Sequence, residues 1–123
     1  MQDFMRDFKE LKVWNKAHQL VLAVYRQTTT FPAEERFGLT AHLRKTALSI
    51  PSNIAEGCGR QSERELARFL SIAAGSTSEL DYQLLLAHDL GYLPDDSFPL
   101  LTEQVREVRR MLCRFLQSLE ADG

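Results

Sequence analysis

Between Leu39 and Ala87 the chain keeps one apolar period through two long stretches and interrupts it once. Leu39, Leu43, Ala47, Ile50 and Ile54 recur at spacings of four and three, and so do Leu66, Leu70, Ala73, Thr77, Leu80, Leu84 and Ala87. Such spacing returns to one face of a helix with 3.6 residues per turn. The interruption centres on Gly57-Cys58-Gly59-Arg60-Gln61-Ser62. Gly57 and Gly59 are placed to take the positive φ that ends a helix. Ser62 with Glu65 three residues on reads as a capping box, in which the serine oxygen accepts from the Glu65 N–H and the glutamate reaches back to the Ser62 N–H. The centre of the chain is therefore expected to be a helix, a tight turn and a helix, with everything else packed on that hairpin.

Pro51 lies inside the first of these stretches. It has no N–H for the Ala47 carbonyl, and its ring crowds that turn, at a cost of about 3 kcal/mol in a helix interior. The apolar period crosses it from Ile50 to Ile54, which predicts one continuous, bent helix. Ser49, Ser52 and Asn53 supply hydroxyls and an amide for the freed backbone groups. In the second stretch, Ala73-Ala74-Gly75-Ser76-Thr77-Ser78 is all small. That predicts a close helix–helix approach at Gly75.

The flanks keep the same period. Val13, Ala17, Leu20 and Val24 form a stripe beside Trp14, Val21, Tyr25 and Thr28, so a helix is expected over about 12–29. Thr28-Thr29-Thr30 and Phe31-Pro32 end it. Pro32-Ala33-Glu34-Glu35 reads as the start of the second helix, with proline early and carboxylates at the positive end of the dipole, giving a span of about 34–56. The third helix is expected over about 63–90, with Gly91 beyond its end and Pro94 blocking continuation. Leu101, Val105, Val108, Leu112, Phe115 and Leu119 mark a fourth over about 96–119. No strand-like alternation competes. The expected fold class is all-α: one domain over residues 1–123, an antiparallel up-and-down four-helix bundle. Residues 1–11, with Phe4 and Phe8, form an arm expected to dock rather than fray.

Composition bounds the function. Fifteen basic and seventeen acidic residues give a net charge of −2, so there is no global attraction to phosphate. Binding to nucleic acid would need a local patch. Arg44, Lys45, Arg60, Arg64 and Arg68 are candidates, and separately Arg106, Arg110 and Arg114. A helix–turn–helix reading of the hairpin is opposed by Glu63 and Glu65 at the start of the would-be reading helix. A metal site in a bundle needs inward carboxylates with Glu-x-x-His, and that motif is absent. His18, His42 and His88 fall one to a helix. Gly57-Cys58-Gly59-Arg60 lacks the strand and the Gly-Lys-Ser/Thr ending of a phosphate loop. Glu56 beside it is read as a partner for exposed N–H groups. No catalytic residue, cofactor or metal ligand is expected. Cys58 and Cys113 form no C-x-x-C, and without a secretory signal both thiols are expected reduced in the cytoplasm. No apolar run is long enough to span a membrane.

The apolar residues exceed what one bundle core needs. Trp14 and Tyr25 widen the first helix, Phe69, Ile72 and Leu86 add a second stripe to the third, and Phe4 and Phe8 lie outside the bundle count. Contiguous apolar stripes mark interfaces. Phe4, Phe8, Trp14, Tyr25, Phe69 and Ile72 are thus the candidate interface of a closed homo-oligomer.

The string Ser49-Ile50-Pro51-Ser52-Asn53-Ile54-Ala55-Glu56-Gly57, with Arg60, resembles a known family. So do Phe8-Lys9-Glu10-Leu11-Lys12-Val13-Trp14, Phe31-Pro32, Glu35-x-x-Gly38-Leu39 and Ala73-x-Gly75-Ser76-x-x-Glu79-Leu80. The family is that of bacterial four-helix-bundle proteins named after open reading frames in 23S ribosomal RNA intervening sequences. The resemblance covers nearly the whole chain. It implies a bundle that assembles as a ring of five, a homopentamer. Its relatives include the accessory variability protein of diversity-generating retroelements, which binds nucleic acid and a reverse transcriptase and, unlike this chain, is strongly basic. The expected function is a non-enzymatic oligomeric interaction or scaffold protein with an unidentified protein partner. The alternative is a nucleic-acid-binding accessory factor acting through local basic patches.

Overall fold

A computed structural model of the chain describes residues 6–122. Four long helices carry the fold: α1 (Lys12–Thr28), α2 (Leu39–Cys58), α3 (Glu63–Asp89) and α4 (Phe98–Asp122). Short 3-10 turns at Phe8–Glu10 and Ala33–Glu35 precede α1 and α2, and the described residues contain no strand. Each helix packs on the next, and α4 closes the bundle against α1. Cross-helix pairs give the direction. Arg44 near the start of α2 reaches Thr28 at the end of α1, Ser49 meets Ser76, and Asp81 of α3 faces Arg106 of α4. Neighbours therefore run antiparallel. One end of the bundle, here the upper end, holds segments 29–38 and 90–97. The lower end holds the arm and the α2–α3 turn.

The apolar period drives this packing. Leu20, Leu43, Ile50, Ile54, Leu70, Leu80, Leu84 and Leu112 are fully enclosed in a single core to which all four helices contribute. Burying each contributes on the order of 1.5–3 kcal/mol. Pro51 sits inside an uninterrupted α2 and is itself buried. Around it the Asn53 amide donates to the Ser49 carbonyl at 2.7 Å, and the Ser49 hydroxyl lies 2.7 Å from both the Thr46 carbonyl and the Ser76 hydroxyl. With one hydrogen each, Ser49 donates to the carbonyl and accepts from Ser76. The Ser-Ile-Pro-Ser-Asn string thus makes up hydrogen bonding near the proline and ties α2 to α3.

Several expectations are corrected. The second helix starts at Leu39, not Glu34, because residues 33–35 close as a 3-10 turn. The reason is Glu35. Its Oε1 accepts from the Leu39 N–H at 3.1 Å, capping α2 from outside the helix. A Cβ on Gly38 would lie 2.7 Å from that oxygen, so the spacing Glu35-x-x-Gly38-Leu39 is a cap and the glycine that admits it.

The roles of the glycines also differ from expectation. Gly59 keeps φ at −83°, and Gly57 lies inside α2. The one positive φ among the described residues is Gly91 at 80°. There the Tyr92 N–H donates to the Ala87 carbonyl and the Gly91 N–H to the His88 carbonyl, both at 2.9 Å, a Schellman end to α3. Gly75 is exposed, and a Cβ added to it would meet nothing within 4 Å. The close approach is at Gly57 instead, where a Cβ would lie 3.0 Å from the Phe69 Cβ and 3.1 Å from a Leu66 methyl. The small run at 73–78 faces several directions around α3: Ala73 and Thr77 are buried, Ser76 bonds to Ser49 of α2, and Gly75 and Ser78 are exposed. The capping box is half made: Ser62 accepts from the Glu65 N–H at 3.1 Å, while the Glu65 carboxylate pairs with Arg68.

Candidate interaction surfaces

The lower end closes on itself. The Arg6 N–H donates to the Cys58 carbonyl at 2.8 Å, extending the end of α2 into the arm. Arg6 also reaches Glu63 and lies over the Phe115 ring. Asp7 caps the first 3-10 turn by accepting from the Lys9 N–H. Phe8 packs edge-on against Trp14 at 4.8 Å between centroids, and Trp14 stacks on His18 at 5.1 Å. Two of the six candidate interface residues, Phe8 and Trp14, thus contact each other and line the chain's own core. Phe4 lies outside the described residues.

Phe69 is buried in the α2–α3 junction, with the guanidinium groups of Arg60 and Arg68 over its ring at 4.8 and 4.4 Å. It offers no open surface, in contrast to its expected interface role. Tyr25 and Ile72 are exposed, Tyr25 beneath the Arg44 guanidinium at 4.8 Å. Burial pushes the Cys58 thiol up from its ordinary value, keeping it protonated inside this end.

The expected nucleic-acid patch is not one patch. Arg44 on α2 and Arg60 in the turn just past its end are sixteen residues apart, on the order of 24 Å along the axis. Arg44 is engaged at the upper end by the Thr28 hydroxyl and the Tyr25 carbonyl, with Lys45 exposed beside it in sequence. Arg60 pairs with Glu56 at 3.6 Å and Arg68 with Glu65 at 3.2 Å, and Arg64 is exposed. The role found for Glu56 is thus an ion pair, not the N–H groups expected of it. The Arg68 bond holds the Glu65 carboxyl below its usual range.

A different basic surface joins α1 to α4. A groove of about 590 Å³ is lined by Lys12, Lys16, Arg110, Arg114, Met111 and Glu107, among others. Lys16 pairs with Glu107 at 3.5 Å and Arg110 with Glu103 at 2.8 Å, leaving Lys12 and Arg114 as further cations. The Arg110 bond holds the Glu103 carboxyl below its usual range. Helix α1 carries no carboxylate at all. Sequence reasoning noticed the α4 arginines and missed their lysine partners. The absence of Asp and Glu from residues 12–28 is the signal that would have found them.

At the upper end, the Tyr92 hydroxyl donates to Glu35 Oε2 at 3.1 Å and the Tyr92 ring packs on Phe31 at 5.6 Å. Glu35 thus joins the two upper segments while its other oxygen caps α2. The bond to this carboxylate raises the Tyr92 phenol above its ordinary value. His88 stacks on Phe98 and contacts Asp95 at 2.8 Å. Outside this framework Phe37 is 88% exposed, Leu100 70% and Leu90 49%.

Over residues 9–114 the sequence matches the family described as 23S rRNA-intervening sequence protein. The chain belongs to that family. No curated protein matches it significantly. Among solved structures, it is similar to a crystallised protein of unknown function from the S23 ribosomal protein family of Bacteroides thetaiotaomicron VPI-5482. The TM-score is 0.76 at 20% identity, over 85% of this chain and 97% of that one. At that identity the likeness speaks for the fold, and it agrees with four antiparallel helices. No helix of the described residues is long and apolar enough to cross a membrane.

Proposed function

We propose that this family member works as a non-enzymatic interaction or scaffold protein in the cytoplasm, assembled from copies of itself in a ring of five and engaging a further protein partner. One observation carries the reading. Apolar side chains stay exposed on successive sides of the bundle: Tyr25 on α1, Leu48 on α2, and Ile72, Tyr82 and Leu85 on α3. Different faces carry different residues, which suits heterologous, head-to-tail contact, and an odd number of subunits closes only by such contact. The number five rests on the family resemblance alone. The experiment is a pair of double variants, Leu48→Ser with Ile72→Ser, and Tyr82→Ser with Leu85→Ser. With helical content unchanged by circular dichroism, at least one pair should lower the particle mass to that of a single chain. If both pairs kept the parent mass, these faces would not be the contacts.

A second reading, nucleic-acid binding, is favoured by the α1/α4 groove, where the lining cations outnumber Glu107. Its test is filter binding of single-stranded RNA at two salt concentrations, with Lys12→Glu and Arg114→Glu as variants. Affinity that falls with salt and is lost in the variants supports it. No binding at low salt rules it out.

A further inference from the structure

The exposed apolar residues are unevenly placed along the bundle axis. Phe37 stands in the turn before α2, Leu90 at the end of α3 and Leu100 in the first turn of α4. All three belong to the upper end. Exposed carboxylates share these segments: Glu34 in the 3-10 turn, Asp89 at the end of α3, and Asp95 and Asp96 between α3 and α4. Arg36, whose guanidinium lies over the Phe37 ring at 5.8 Å, is the cation of these two segments. The same character continues down α4, where a groove of about 460 Å³ beside Leu100 is lined by Glu103, Gln104 and Glu107.

We propose that the upper end is a docking surface for a basic amphipathic segment of a partner protein. Its apolar side would rest on Phe37, Leu90 and Leu100, and its cations would meet Glu34, Asp89, Asp95 and Asp96. Charge selects this occupant. On the two connecting segments an acidic peptide or a phosphate backbone would meet mostly like charge, whereas lysines or arginines flanking apolar anchors are complementary to Glu34, Asp89, Asp95 and Asp96; Arg26, Arg44 and Lys45 lie to the α1/α2 side of this end. The surface is already ordered before any partner arrives. Glu35 holds Leu39 and Tyr92, the Schellman turn fixes residues 90–92, and Leu93 is buried beneath them. Binding therefore spends little on ordering the receptor side. Exposed Phe and Leu side chains in a ring of charge match the central anchors and polar rim of protein interfaces. The proposal goes beyond the scaffold reading by giving the partner's chemistry, and it does not depend on the ring.

The test is a fluorescence-anisotropy titration of the full chain with a labelled synthetic helix bearing a leucine face and a lysine face. A matching leucine–glutamate helix is the control. The lysine peptide should bind and weaken with salt, and the glutamate peptide should not bind. Phe37→Ser with Leu100→Ser should weaken binding about tenfold or more, which is about 1.4 kcal/mol. Asp95→Asn with Asp96→Asn should weaken it and flatten the salt dependence. Cys113→Ser, exposed on α4 away from this end, should leave it unchanged. Equal binding by parent and both upper-end variants would overturn the proposal, as would equal binding of the glutamate peptide. So would a drop in particle mass in Phe37→Ser with Leu100→Ser, which would make this end a contact between copies.

Discussion

The two ends of the bundle solve the same problem in opposite ways. Each must finish two helices and turn the chain. At the lower end the arm bonds to the last turn of α2, Phe8 covers Trp14, and Arg60 and Arg68 cover Phe69. Among the described residues, no large apolar side chain at that end is left exposed. At the upper end the backbone is equally well held, by the Glu35 latch and the Schellman turn. Yet Phe37, Leu90 and Leu100 face water. Order without cover separates this end from a frayed one.

The largest effect should come from the lower end. Gly57→Val puts branched carbon where Phe69 and Leu66 already stand at 3.0–3.1 Å from the Cβ position. Overpacking of this kind costs about 1–3 kcal/mol. A denaturant midpoint equal to the parent's would show that the α2–α3 junction is looser than described. At the upper end, Glu35→Ala removes the cap on Leu39 and the acceptor for Tyr92 together. Loss of a cap costs about 0.5–2 kcal/mol, measured by thermal or urea unfolding.

Midway between the ends, Gly75→Ala should stabilise the protein by about 0.5–1 kcal/mol, since the site is helical and open. A loss there would put Gly75 against a neighbouring copy. Phe37→Ser should shift stability by less than about 0.5 kcal/mol, as expected for an exposed residue away from structural features. A larger loss would mean the upper end is covered within its own chain after all.

The latch also has a pH signature. The bond to Glu35 raises the Tyr92 pKa, so the folded state holds its phenolic proton more tightly than the unfolded chain. That stabilisation is complete below the ordinary tyrosine value of about 10 and is lost as pH rises through the higher folded value. Unfolding titrations in alkali should show a shallower decline for Tyr92→Phe than for the parent. Parallel curves would mean that the hydroxyl bond is not made in solution.

Much of the fold could be read from residue spacing, because apolar repeats at three and four constrain a helix wherever they run. Ile50 and Ile54 carried that reading across Pro51, and the structure keeps α2 intact there. Gly91 was legible because a Schellman end needs a residue tolerant of positive φ. Which small residue meets a neighbour was not legible. Gly57 and Gly75 look alike in sequence, and only the rotation of each helix about its axis separates contact from open space. The start of α2 was misread because Glu34 and Glu35 look like first-turn carboxylates, whereas Glu35 caps the helix from outside. The basic groove was missed for a related reason: Lys12 and Arg114 are far apart in sequence, and antiparallel closure of α4 on α1 brings them to one groove.

The measurement closest to the central claim, that this is an oligomeric interaction protein, is the mass of the unmodified chain by light scattering over a wide concentration range. The account predicts a stable particle of about five times the 14.1 kDa of one chain. A mass of 14.1 kDa at every concentration would contradict it.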